Sequence, residues 1–421
     1  MSIAPGEPFF ASRWVQCPPH VSADGGGLPG GFRAAAAAAG IKPDGAIDLG
    51  LLVCDAEDAV SAACYTRSGV LAAPVLVCRD ETAPGALRAV IANSGNANAA
   101  TGPEGMQAAR AMQATAARAI GVEPAAVAVA STGVIGVPLA LDGLQDAVTA
   151  AAAALEPDGD KAFNEAIMTT DAFQKRASLQ VALPSGSVRL SAQAKGAGMI
   201  EPAFATMLCF VQTDAALEPE TADLLLSVCV KRSFARISVD GQLSTNDTVI
   251  LMSSGASGVR IAPETEDELR LGEALDALLR MLAILIVRDG EGSRRVGRIV
   301  VRGGSDEVVE RCARAIANSP LVKTALHGAD PNWGRIAQSV GAALPGMAPL
   351  ALDIAIEGIT VCAGGAAVPY DLDALNAAAA GTEIEYEVGL PMVDRTRPCE
   401  TEVLFSDLGH EYVTINAEYT T

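Results

Sequence analysis

Between Lys195 and Leu208 runs the stretch KGAGMIEPAFATML, in which a charged, glycine-broken loop passes directly into an apolar run. Gly196 and Gly198 open backbone angles closed to other residues, and Pro202 fixes a further dihedral. Thr206 then brings a β-branched hydroxyl to the junction of loop and strand, aimed at the peptide bond before it. Attack of Thr206 Oγ on the Ala205 carbonyl, an N-to-O acyl shift and ester hydrolysis would leave two chains. The second would begin with a threonine carrying both a hydroxyl and a free α-amine, a nucleophile with its own base. Ala-Thr pairs ahead of apolar strands are also ordinary core, so the pair alone leaves both readings open.

Three other stretches carry polar groups where chemistry could use them. Ala126–Ser131 reads as a short buried strand that stops at Thr132-Gly133, and a Thr-Gly turn at a strand end can aim N–H groups and a hydroxyl at a developing oxyanion. An ordinary turn is the competing account. The asparagine-rich run Asn93–Gly102 predicts side chains bonded to a tightly turned backbone. In Arg288-Asp289-Gly290-Glu291-Gly292 the glycines break a helix, which either holds Glu291 out on a turn or leaves it a solvated carboxylate.

The wording around the junction, AKGAGMIEPAFATMLCFVQTDA, resembles the signature of the ornithine acetyltransferase (glutamate N-acetyltransferase) family, whose members cut themselves before this threonine. The likeness spans about residues 30 to 421, through AAPVLVC, NSGNANAATGPEG, ASTGVIG, AIMTTD, SVDGQLSTNDTV, DGEG and NSPLVKTALHGADPNWGRI. Carried onto this chain, it implies Thr206 as nucleophile after cleavage between Ala205 and Thr206, with Thr132 and Gly133 as the oxyanion pair. It implies substrate contacts at Thr169, Lys195, Thr206, Glu291, Asn416 and Thr421. The residue types suit those roles, with Lys195 for a carboxylate, Glu291 for an ammonium, and Asn416 and Thr421 for orientation.

The reaction so implied is ping-pong transfer of acetyl from N2-acetylornithine to glutamate, with no metal or organic cofactor. Acetyl-CoA as a further donor is left open, as is a relative of specialised metabolism acting as acyltransferase or amidohydrolase on another N-acyl amino acid. The resemblance also implies an α2β2 heterotetramer of self-cleaved chains. Three departures stand out: Ala203-Phe204 before the junction where many relatives have Asn-Met, Phe405-Ser406-Asp407 near the C-terminus, and Tyr65-Thr66-Arg67-Ser68.

The elements that must position these residues read as mixed α/β. Strands are expected over Ala46–Val53, Arg88–Ala92, Val188–Ala194, Thr248–Met252, Arg298–Arg302, Leu352–Val361, Glu383–Leu390, Cys399–Phe405 and Tyr412–Ala417. Helices are expected to follow Pro103, over Leu141–Leu155, Pro219–Arg232 and Glu266–Val287, after Ser305 and over Leu372–Ala380. The resemblance adds an αββα-like sandwich domain and a smaller C-terminal α/β domain. The expected division is a lead-in over 1–30 with order from about Gly31, an α chain over 31–205, the start of the β chain over 206–292, and the C-terminal domain over 293–421.

At 421 residues and 50% hydrophobic content the chain can bury a large core, although aromatics are only 4%. A net charge of -20 with no concentrated basic patch argues against nucleic acid or an anionic membrane as partner. Nine cysteines without a Cys-x-x-Cys pair read as reduced thiols in a cytoplasm-like compartment. The most apolar helical stretch, Ala274–Val287, is interrupted by Asp276 and Arg280, so it reads as a buried helix rather than a membrane span.

Overall fold

The computed structural model describes residues 8–201, 207–391 and 399–418. Among these, the strands form three sheets. The first runs in the order β1 (Val21–Ala23), β7 (Lys175–Leu183), β8 (Gly186–Lys195), β9 (Leu208–Thr213), β11 (Thr248–Ser253) and β4 (Val60–Tyr65). Its pairs are antiparallel except β9 with β11. The second runs β2 (Phe32–Ala37), β3 (Leu49–Cys54), β5 (Ala89–Asn96) and β6 (Val127–Val134), with only β5 and β6 parallel.

These two sheets face each other because both sides of their central strands are apolar. Leu208, Phe210, Ile250 and Met252 join Leu49, Leu51 and Ile91 in one core, with Phe163 of α4 (Asp160–Ile167) edge-on to Phe210 at 5.5 Å. The alternate residues Cys209, Val211, Val249 and Leu251 turn outward into a second core with α5 (Pro219–Arg232) and α6 (Glu266–Arg288). Helices α1 (Ala73–Glu81), α2 (Gly102–Ile120) and α3 (Leu144–Ala153) cover the second sheet. Helix, sheet, sheet and helix layers are therefore stacked in the expected αββα order.

The third sheet runs β10 (Ile237–Ser238), β17 (Glu400–Ser406), β12 (Val296–Arg302), β16 (Glu383–Gly389), β13 (Asp353–Ile356), β14 (Ile359–Ala363) and β15 (Ala366–Ala367). Its core takes in residues of α7 (Asp306–Ala317), α8 (Pro320–His327), α9 (Trp333–Ala343) and α10 (Leu372–Ala378). A last helix, α11 (His410–Glu418), carries no buried residue. No helix among the described residues is long and apolar enough to cross a membrane.

Three expectations are corrected. Order begins ahead of Gly31, since β1 pairs with β7, and Arg189 ties the following turn through Asp24, Gly26 O and Leu28 O. Strand β6 does not stop before Thr132 but continues to Val134, bulging against Gly95 and Asn96. Tyr412–Ala417 is helix, not strand. The segment joins none of the three sheets and closes its backbone bonds locally, so helix formation overrides the strand preference of Val413, Thr414 and Ile415.

Candidate active site

Three loops named by the sequence motifs meet on one buried ion cluster. Lys175, the first residue of β7, donates to Asp171 at 2.6 Å and to Asp289 at 2.5 Å, and all three side chains are buried. Asp171 also accepts the Gly196 and Thr169 N–H groups at 2.7 and 3.0 Å, and Asp289 accepts that of Ala172 at 3.0 Å. The MTTD turn, the Lys195-Gly196 loop and the Asp289–Gly292 turn are thus fastened to one another. Burial works against the Asp171 carboxylate, but the Lys175 and Lys195 ammoniums outweigh it and hold the carboxyl below the usual range. Removing one member would strand buried charge, a loss of about 3–5 kcal/mol.

On that frame Lys195, the last residue of β8, donates to Thr132 Oγ1 at 3.0 Å and to Thr169 Oγ1 at 2.9 Å. Burial lowers the Lys195 ammonium from its ordinary range, with Asp171 opposing. Thr132 and Gly133 stand at the end of β6. A side chain on Gly133 would come within 2.3 Å of the Gly95 carbonyl carbon, at a φ of 132°, so only glycine fits. The asparagine run behaves as expected: Asn98 Nδ2 donates to Gly105 O and Asn93 Nδ2 to Asn96 O, each at 2.9 Å.

Glu291 is only 9% exposed, which overturns the solvated alternative. Its amide donates to Ala197 O at 3.0 Å and its Oε2 accepts Asn416 Nδ2 at 2.6 Å. A Cβ on Gly198 would lie 2.7 Å from Glu291 Oε1, so that glycine makes room for the carboxylate.

Thr132, Gly133, Thr169, Lys195, Glu291 and Asn416 line one cavity of about 360 Å³. Ala205, Thr206 and Thr421 lie outside the described residues. The chain resumes at the buried Met207, and Leu208 pairs in register with Lys195. Met207 N–H donates to Asp247 Oδ1 at 3.0 Å, while Asp247 Oδ2 is buried with no hydrogen-bond partner among the described residues. Burial raises this carboxyl well above its ordinary range, against the pull of the Met207 amide.

Sequence reasoning passed over Asp171, Lys175, Asp240, Asp247, Asp289 and Tyr412 as working residues. Asp240 and Tyr412 also line the cavity. Asp240 accepts the N–H groups of Met199, at a φ of 57°, and Ile200, at 2.6 and 2.9 Å, and so fixes the turn after Lys195. Asp171, Asp240, Asp247 and Asp289 sit inside or beside the motif blocks quoted above, but nothing local separates a buried carboxylate from a surface one. Among the described residues, no group of three or more His, Cys, Asp and Glu could hold a metal ion.

Residues 33–421 match the sequence profile of the ArgJ family. The chain belongs to that family. Membership makes it an enzyme, and the family is the one to which the sequence resemblance pointed. It is 42% identical over 397 residues to the arginine biosynthesis bifunctional protein ArgJ of Symbiobacterium thermophilum, covering 93% of this chain and 98% of the relative. To the protein of the same name from Thermosynechococcus vestitus it is 40% identical, covering 97% of this chain and 100% of the relative. Among solved structures, the ornithine acetyltransferase complexed with ornithine from Mycobacterium tuberculosis aligns at 37% identity and a TM-score of 0.40, covering 44% of this chain and 98% of that one.

Proposed function

We propose that this protein is a self-cleaving acetyltransferase that moves the acetyl group of N2-acetylornithine to glutamate through an ester on Thr206. The observation that carries the reading is the convergence of Thr132, Gly133, Thr169, Lys195, Glu291 and Asn416 on one cavity, next to the point where the chain resumes at Met207. In that cavity Lys195 is the single cation among the described lining residues, with Glu291 and Asp240 as carboxylates. An amino acid with a distal ammonium suits this lining, its carboxylate to Lys195 and its ammonium to Glu291.

In the first half-reaction the α-amine of the freed Thr206 takes the hydroxyl proton, directly or through water, and Oγ adds to the acetyl carbonyl. Thr132 is suited to stabilise the oxyanion. Its Oγ1 accepts from the Lys195 ammonium, which leaves the Thr132 proton free to donate. The C–N bond breaks, the leaving nitrogen takes the proton, and ornithine departs. Glutamate then enters with its amine neutral, adds to the ester carbonyl, and returns a proton to Oγ as N-acetylglutamate leaves. Acetyl-CoA would serve as a second donor to the same hydroxyl. The buried thiols of Cys54, Cys78, Cys209, Cys229, Cys312 and Cys362 support a reducing, cytoplasmic setting, and we extend the reading to an assembly of two α and two β pieces.

Intact mass measurement and an acetyl-transfer assay test this. The wild-type chain should give one piece ending at Ala205 and one beginning at Thr206, and should transfer acetyl to glutamate, with acetyl-CoA tried as an alternative donor. Thr206→Ala should remain one chain and transfer nothing. A processed Thr206→Ala protein, or an uncut wild type that still transfers, would refute the assignment. Ornithine release that is indifferent to glutamate would make the enzyme a hydrolase instead.

A further inference from the structure

On the reading above, one cavity must take two side chains of opposite charge, first the ammonium end of acetylornithine and then the carboxylate end of glutamate. The described lining opposes one cation, Lys195, with two carboxylates, Glu291 and Asp240. Lys195 is already committed to Thr132 and Thr169 and, on that reading, to the backbone carboxylate of each amino acid. A side-chain carboxylate brought near Glu291 and Asp240 therefore needs a neutral donor.

Of the neutral donors that line the cavity, two stand one turn apart on α11 beside both carboxylates: Asn416 on Glu291 and Tyr412 on Asp240. Asn416 Nδ2 is engaged by Glu291 Oε2 at 2.6 Å and by Tyr412 O at 3.0 Å. The Tyr412 hydroxyl is held far more loosely. Its acceptor, Asp240 Oδ2, lies 3.4 Å away, at the outer limit of a hydrogen bond. Asp240 is meanwhile satisfied by the amides of Met199, Ile200 and Gln242 at 2.6, 2.9 and 3.1 Å. Turning the hydroxyl away from Asp240 leaves no acceptor stranded. Burial, with Asp240 and Glu291 nearby, pushes the phenol above its ordinary range, so the hydroxyl keeps its proton near neutral pH.

We infer that Tyr412 selects the acceptor: its hydroxyl swings from Asp240 to the side-chain carboxylate of glutamate, while the ammonium-bearing donor is left to Glu291. Neither substrate needs a second cation, and the cavity changes its preference by rotating one O–H.

The test is Tyr412→Phe, which removes one oxygen from a helix that carries no buried residue and so leaves the core untouched. The KM for glutamate should rise about tenfold, the loss of one hydrogen bond to a charged group. The KM for N2-acetylornithine should stay within about twofold. With norvaline, which lacks the side-chain carboxylate, as competing acceptor, the preference for glutamate should narrow by about the same tenfold. An active variant whose two KM values rise together, or whose preference for glutamate over norvaline is unchanged, overturns the inference alone. A wild-type protein that moves no acetyl group overturns the proposed function and this inference with it.

Discussion

Gly133 shows how little freedom the cavity wall allows at the level of single atoms. A methyl group there would meet Gly95 at 2.3 Å and Asn96 N at 2.5 Å, both backbone, so neither neighbour can turn aside. Gly133→Ala should cost about 3 kcal/mol, from overpacking together with a side chain at an unfavourable φ. It should also shift the neighbouring Thr132 hydroxyl. Thermal unfolding would register a fall of several degrees and the transfer assay a loss well beyond it; a variant equal to wild type in both would contradict the packing described.

Among the elements, α8 has an unusual charge. Its Lys323 is fully enclosed, donates to Ser406 O and Oγ, and lies 5.6 Å from the Phe405 ring, so it clamps the end of β17 from which the chain continues to α11. Burial pushes this ammonium down to about 7, with Asp240 and Asp407 opposing. The unfolded chain holds that proton up to about pH 10. Between about pH 7 and 10 the unfolded state therefore binds more protons than the folded state, and stability rises with pH. This contribution reaches about 1.4 kcal/mol per pH unit and is lost as pH falls through 7. Denaturant melts at several pH values should show that slope in the wild type and a flatter one in Lys323→Met; parallel slopes would mean that Lys323 does not titrate as described.

Helix α5 was delimited by Pro219 and Arg232, and α6 to within one residue, because long amphipathic periodicity with a proline or capping threonine at the start is a local signal. Helices α8 and α9 give no clear local signal, since they are short and sit among Pro, Gly and Asn residues that read as loop. Helix α11 reads as a strand because Val413, Thr414 and Ile415 carry strand preference, which local helical bonding overrides. Of the six described site residues, Thr132, Gly133 and Glu291 are also visible locally, as a turn at a strand end and a carboxylate between helix-breaking glycines, whereas Thr169, Lys195 and Asn416 take their roles from motif wording alone. The Asp171, Lys175 and Asp289 cluster was not legible, because Lys175 and Asp289 are 114 positions apart and their burial is a property of the assembled layers.

For the molecule as a whole, the order of the first sheet sets how the two halves are joined. Strands β9 and β11 follow the proposed cleavage point, yet they lie between β8 and β4, which precede it. Cut at Ala205, the chain would divide this first sheet between the two pieces, and separating them would bare strand edges on both sides and open two cores. Both pieces should elute together from a sizing column in native buffer and part only in denaturant; resolution into two folded species under native conditions would contradict the interleaving. The same weave gives the molecule a direction in time. An uncut chain finds its register by itself, at a rate indifferent to dilution, whereas a cut one that has come apart must wait for its other half. Severing the proposed link between Ala205 and Thr206 would exchange a first-order route home for a second-order one, so folding would have to be finished before the bond is broken.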